Sequence, residues 1–109
     1  MASDLPAGVK IEPIFVIEAT YAPDAAETRP RVRPQHLARI ADLIDQGIVI
    51  EGGGYADLST SLILIRAASE EAALAIARDD IYMKEGIWVE LRVKGFGRVV
   101  RDAEPAGQR

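Results

Sequence analysis

The sequence predicts an α+β domain: a four-stranded antiparallel sheet with two helices on one face. Three observations carry this. Apolar β-rich runs and helical stripes follow one another as strand, helix, strand, strand, helix, strand. The last strand alternates apolar and polar residues, as a strand with one wet face does. The second helix is rich in alanine, which suits close packing on a sheet.

Residues 1–12 mix proline, glycine and charge and read as a loose lead-in. Pro13 to Tyr21 is β-branched and aromatic, a largely buried strand. Ala22-Pro23-Asp24 breaks it, and Glu27 to Val32 reads as a charged loop. Pro34 suits a first helical turn, so the first helix is predicted over Pro34–Gln46. Leu37, Ile40, Ala41 and Ile44 form its apolar stripe, and Gly47 stops it. Ile48–Gly52 is a second strand. Gly52-Gly53-Gly54 calls for a positive φ or a close backbone approach, with a turn or bulge. Ser61–Arg66 is a third strand. Ser69 is an N-cap with acid behind it in the first turn, and the second helix runs to Arg78. Ala73, Leu74, Ile76 and Ala77 lie on or near its buried side. Asp79 to Gly86 is a break. Ile87–Lys94 is the fourth strand, with Phe96–Val100 as its extension or a short extra strand. The domain therefore spans 13–100, and 101–109 is a polar, frayed tail. The order is the split βαβ pattern of ferredoxin-like folds. Both helices on one face leave the other uncovered. Its strands look too apolar for water, so sheet-to-sheet dimerisation is expected.

Length and composition bound the function. A chain of 109 residues is one domain, with 49% hydrophobic and 28% charged residues and a net charge of -4. It carries no basic stripe with interleaved aromatics, which argues against nucleic acid. No apolar run is long enough for a membrane helix. The start of the chain lacks the pattern of a signal peptide. With no cysteine, disulfide and thiolate chemistry are excluded, and the cytoplasm is expected. One histidine and no cysteine argue against a transition-metal site. The triple glycine lacks the spacing and lysine of a phosphate loop.

The chemistry-bearing residues are few. His36 is the only histidine and opens the first helix; Asp79 and Asp80 end the second. If the fold joins these places, the chain has one His–Asp pair. Such a pair can move a proton near neutral pH. The plainer reading of each half is a solvated surface residue. An acid is unfavourable at a helix C-terminus, which favours a specific role for one of the two. Arg31 and Arg33 precede the histidine. Arg33 is the better candidate to anchor a carboxylate or enolate oxygen through paired hydrogen bonds. Ser61 is a candidate donor. Tyr82 and Trp88 are candidate walls of an apolar pocket, against ordinary roles in the core or a dimer. The cleft is expected between His36 and a sheet surface of Ile17, Leu62 and the residues around Val89.

Over Phe15–Val100 the chain resembles the YCII-related proteins of the dimeric α/β-barrel group. The resemblance rests on ordered pieces: Arg33-Pro34-Gln35-His36-Leu37 opening a helix, Gln46-Gly47 ending it, Gly52-Gly53, Ser61-Leu62-Ile63, and Asp80-Ile81-Tyr82 before Gly86-Ile87-Trp88. Ile81 stands where that family has proline, and Thr60 where it has glycine. The resemblance implies a ferredoxin-like dimer with a pocket between helices and sheet, and His36 with Asp80 as the catalytic pair. Related barrels include lactone isomerases, a dehydrochlorinase and cofactor-free monooxygenases. The leading expectation is a cofactor-free enzyme using His36 and Asp80 for isomerisation or elimination next to a carbonyl in a small organic molecule. Arg33 or Ser61 would hold the oxyanion. The alternatives are a non-enzymatic dimeric binding or scaffold domain, and a cofactor-free monooxygenase.

Overall fold

The computed structural model describes residues 4–101. Residues 102–109, expected to fray, lie outside the described part. Strand β1 (Val9–Tyr21) leads through a short helix α1 (Ala25–Thr28) and a 3-10 turn (Arg29–Arg31) into α2 (Arg33–Asp45). Strands β2 (Val49–Gly54) and β3 (Thr60–Ile65) follow, then α3 (Glu70–Arg78), a short α4 (Ile81–Lys84) and β4 (Trp88–Arg101). The sheet order is β2-β3-β1-β4, every pair antiparallel. This is the expected ferredoxin-like arrangement. No helix of the described residues is long and apolar enough to cross a membrane.

Strand alternation sorts the sheet into two faces. Ile17, Ala19 and Tyr21 of β1 join Ile63 and Ile65 of β3 and Ala73 and Ala77 of α3 in one buried cluster. On the opposite face, Val16 pairs with Leu64 and Glu18 with Leu62.

The helix ends follow their local chemistry. Pro34 sits in the first turn of α2, where its missing N–H costs nothing. Gly47 has φ of +79°, a conformation that glycine adopts without strain. Ser69 Oγ accepts the Ala72 amide at 3.1 Å and caps α3.

Several expectations change. The strand begins at Val9, so residues 9–12 of the expected lead-in pair with Arg98–Arg101. The predicted charged loop contains α1 and the 3-10 turn, which are too short for a helical stripe to show. Phe96–Val100 does extend the fourth strand, because β1 offers it a partner over its whole length. The triple glycine is paired strand, and the register irregularity lies earlier, between Val49 and Glu51. None of the three has a positive φ. The predicted stripe on α2 is rotated. Leu37 and Ile44 are 46% and 45% exposed, while Ile40 and Leu43 pack on the core beside buried His36. A histidine occupies the inward position, which a hydrophobicity count assigns to the neighbouring leucine.

Candidate active site

His36 enters the interior because the first turn of α2 faces the start of α4. The second partner comes from a helix start that the sequence hid. Asp79 ends α3, and Asp80 adopts extended backbone (φ −75°, ψ 143°) as the N-cap of α4. Its carboxylate accepts the Tyr82 amide at 2.9 Å, satisfying a helix-terminal donor. Ile81 is then the first residue of α4. The family's proline suits that position, and isoleucine occupies it with the cap intact.

His36 Nδ1 lies 2.7 Å from Asp80 Oδ1. Asp80 is 1% exposed and His36 7% exposed. The other carboxylate oxygen, Oδ2, accepts Arg39 Nη1 at 3.1 Å, and Arg39 Nη2 donates to the Ile76 carbonyl at 3.0 Å. Burial raises the Asp80 pKa. The hydrogen bonds from His36 and the Tyr82 amide, with the charges of His36 and Arg39, outweigh this and hold it below the usual carboxylate value. Asp80 is therefore ionised at neutral pH and can only accept. Nδ1 of His36 must carry the proton, and the neutral ring presents a lone pair at Nε2. That nitrogen has no hydrogen-bond partner among the described residues.

The imidazole is also held by rings. Tyr82 stacks on it at 3.7 Å and 6°. Trp88 meets His36 edge-on at 5.3 Å and Tyr82 at 5.4 Å. The ring thus has its orientation set by one hydrogen bond and two aromatic rings.

In front of His36 is a cavity of about 120 Å³, whose walls include Tyr21, Arg29, Arg33, Ser61, Gly54 and Tyr82. The cavity reaches sheet residues Ile63 and Ser61, not the expected Ile17, Leu62 and Val89. Leu62 points to the opposite face, since it is one residue out of phase with Ser61 and Ile63. Val89 is 55% exposed, beside a β-bulge at Thr20/Tyr21 that shifts the register. Arg33, Ser61 and Tyr82 line the cavity; Trp88 lies behind His36 and Tyr82 rather than in the wall. Ser61 Oγ donates to the Gly53 carbonyl at 3.1 Å, so its proton is already used within the sheet. Arg31 turns away to Glu85 at 3.1 Å.

Sequence reasoning missed Arg39, Arg29 and Tyr21. Arg39 carried a legible signal, because residues three apart share a helix face and His36 is three before it. Arg29 and Tyr21 are brought in by the 3-10 turn and the end of β1, and nothing local marks them. The expected close approach at the glycines is real at one position. A Cβ on Gly54 would stand 2.6 Å from Tyr21 Oη. Among the described residues no group of three or more His, Asp or Glu is placed to hold a metal ion.

Comparison with known proteins agrees with this architecture. Residues 14–97 match the YCII-related domain. Protein YciI of Escherichia coli O6:H1 is 34% identical over 96 residues, which cover 79% of this chain and 98% of that protein. An uncharacterised protein of Haemophilus influenzae is 28% identical over 95 residues, 78% of this chain and 97% of its own. Among solved structures, the fold is similar to 5-chloro-2-hydroxyhydroquinone dehydrochlorinase (TftG) from Burkholderia phenoliruptrix AC1100, in complex with 2,5-dihydroxybenzoquinone. The TM-score is 0.62 at 21% identity, covering 74% of this chain and 90% of that one. The matched domain takes in both halves of the His36–Asp80 pair, and the chain belongs to the YCII-related family.

Proposed function

We propose that this chain is a cofactor-free small-molecule enzyme that moves a proton next to a carbonyl group. The observation that carries this reading is the buried 2.7 Å bond between His36 Nδ1 and Asp80 Oδ1, with Nε2 left unpaired on a cavity-lining ring. Nε2 would take a proton from the carbon next to the carbonyl. The C–H electron pair moves into a C=C bond as the carbonyl π pair becomes an enolate oxygen. His36, now protonated, is stabilised by ionised Asp80. It returns the proton to a different carbon in an isomerisation. In an elimination, the oxygen pair instead re-forms the carbonyl, the enolate C=C pair forms a new C=C bond to the adjacent carbon, chloride or a similar group leaves that carbon with its bonding pair, and His36 releases the captured proton to water. Arg33 is the proposed anchor for the oxygen that gains charge. Ser61 shapes the wall through Gly53. The dehydrochlorinase with the similar fold makes elimination on a one-ring compound the first chemistry to test.

We further propose that the chain acts in the cytoplasm as a homodimer joined through the open sheet face. A cysteine-free chain suits that reducing compartment.

The test is a panel of lactones, enol lactones and halogenated phenolic acids, incubated with wild type and His36→Ala in deuterated water. Proton-transfer chemistry predicts deuterium incorporation or chloride release that is lost in His36→Ala. A panel in which wild type and variant behave alike would remove the enzyme reading.

A further inference from the structure

Two features of the cavity are not used by the His36–Asp80 pair. Arg29 and Arg33 both line it, and neither forms an ion pair with an acid among the described residues, whereas Arg31, Arg39, Arg66, Arg92 and Arg98 all do. The wall contains no aspartate or glutamate. Arg33 is exposed at the rim and Arg29 is half-buried, so the two guanidinium groups present unneutralised positive charge to the cavity mouth, where an anion can meet it.

We propose that the cavity is an anion site for a carboxylate on a molecule of at most one ring, held by Arg29 and Arg33. The size follows from the volume. A dry cavity of about 150 Å³ accommodates benzene in another protein; this one is about 120 Å³ and open on one side, so it encloses a carboxylate and part of one ring, with the rest of the ring in its mouth. Tyr82 and Tyr21 supply the aromatic part of the wall, their rings inclined at 64° with centroids 6.4 Å apart. Arg29 is held in place by Tyr21, with its guanidinium carbon 5.9 Å from the ring centroid. Burial, with Tyr21 beside it, raises the Tyr82 pKa against the charges of Arg29 and Arg33 and the hydrogen bonding of Arg29, so the phenol stays neutral beside the two cations. A carboxylate accepts from both guanidinium groups; a neutral amide of the same shape would set its N–H groups against two cations.

This rests on the proton-transfer reading only for the ligand's purpose, and binding is measured without turnover. Trp88 is the only tryptophan and packs edge-on against His36 and Tyr82, so its fluorescence reports the site. Benzoate and benzamide are titrated against wild type, Arg29→Gln, Arg33→Gln and Arg31→Gln, with thermal melts to confirm folding. Benzoate is expected to bind at least about tenfold tighter than benzamide. Arg29→Gln and Arg33→Gln should each weaken benzoate by about five- to tenfold and leave benzamide unchanged. Arg31→Gln removes the same charge outside the cavity and should change neither. Equal affinities, no benzoate binding at millimolar concentration, or an equal loss in Arg31→Gln would overturn the proposal. A benzoate preference without His36-dependent turnover would leave this site standing and sink the proton-transfer reading. Turnover without the preference would do the reverse.

Discussion

Asp80 Oδ1 accepts from both the His36 ring and the Tyr82 amide, and Oδ2 accepts from Arg39. One carboxylate therefore sets the imidazole tautomer, starts α4 and ties α2 to it. Its replacement is expected to affect chemistry and stability together. Asp80→Asn leaves Arg39 facing a neutral amide, and should cost about 2–4 kcal/mol at neutral pH. The pH dependence has a definite sign. Asp80 has a folded-state pKa below its unfolded value near about 3.9. Its stabilisation is present above the unfolded pKa and is lost as pH falls through the folded one. Urea unfolding at pH 7 and pH 3 should show the gap between wild type and Asp80→Asn narrowing at the lower pH; a constant gap would remove the carboxylate's role. Arg39 acts through Asp80 and is a positioning residue. Arg39→Ala should lower kcat by about tenfold, with little change in KM, on any substrate that His36 turns over. Arg39→Lys should restore part of it, because one of the two guanidinium bonds can be replaced. A KM effect alone would place Arg39 at the ligand instead.

At the scale of elements, the site is where three segments end: the first turn of α2, the start of α4 and the glycine end of β2. Gly54 shows how closely they fit. A methyl there would meet Tyr21 Oη at 2.6 Å, whereas one on Gly53 has nothing within 4 Å. Gly54→Ala is expected to push the Tyr21 ring, disturb the Arg29 beside it and lower stability by about 1–3 kcal/mol. Gly53→Ala should be close to neutral. Thermal melts and benzoate titrations of both variants check this, and equal effects would dismiss the close approach. The elements differ in how legible they were. The sheet was readable because β-branched runs and the Gly47 and Ser69 signals are local. Arg33, His36 and Asp80 were readable from their order along the chain. The α4 turn was not, since four residues carry no period and its N-cap looks like the tail of α3. The inward face of α2 was misread for a related reason. Periodicity ranks residues by hydrophobicity, and here a histidine stacked on Tyr82 takes the buried position.

Across the whole molecule, the β1–β4 ribbon sets the shape. Thirteen residues of β1 at about 3.4 Å each run ~44 Å against a long axis of 50 Å. Helices cover one sheet face, and the other carries Val16, Leu62, Leu64 and Phe96 around an open groove. The charges beside that groove are already paired within the chain. Glu18 meets Arg92 at 3.1 Å and Lys94 at 3.6 Å; Glu12 meets Arg66 at 2.7 Å and Arg98 at 2.8 Å. Such a face is easier to bury than one with lone charges, because no ion has to enter an interface unpaired. A second copy would bring the same apolar centre and the same neutralised rim, as a two-fold interface requires. Light scattering at tens of micromolar is therefore expected to give twice the 11.8 kDa chain mass. Leu62→Lys with Leu64→Lys places two cations in the centre of the groove and should yield a monomer. The helix-face cavity belongs to the other side of the sheet, so the monomer should still bind benzoate if the anion site is complete within one chain. A wild type that remains monomeric at that concentration would leave the open face to water and end the dimer reading. A dimer that survives the double lysine variant would move the interface to the exposed Leu37 and Ile44 of α2.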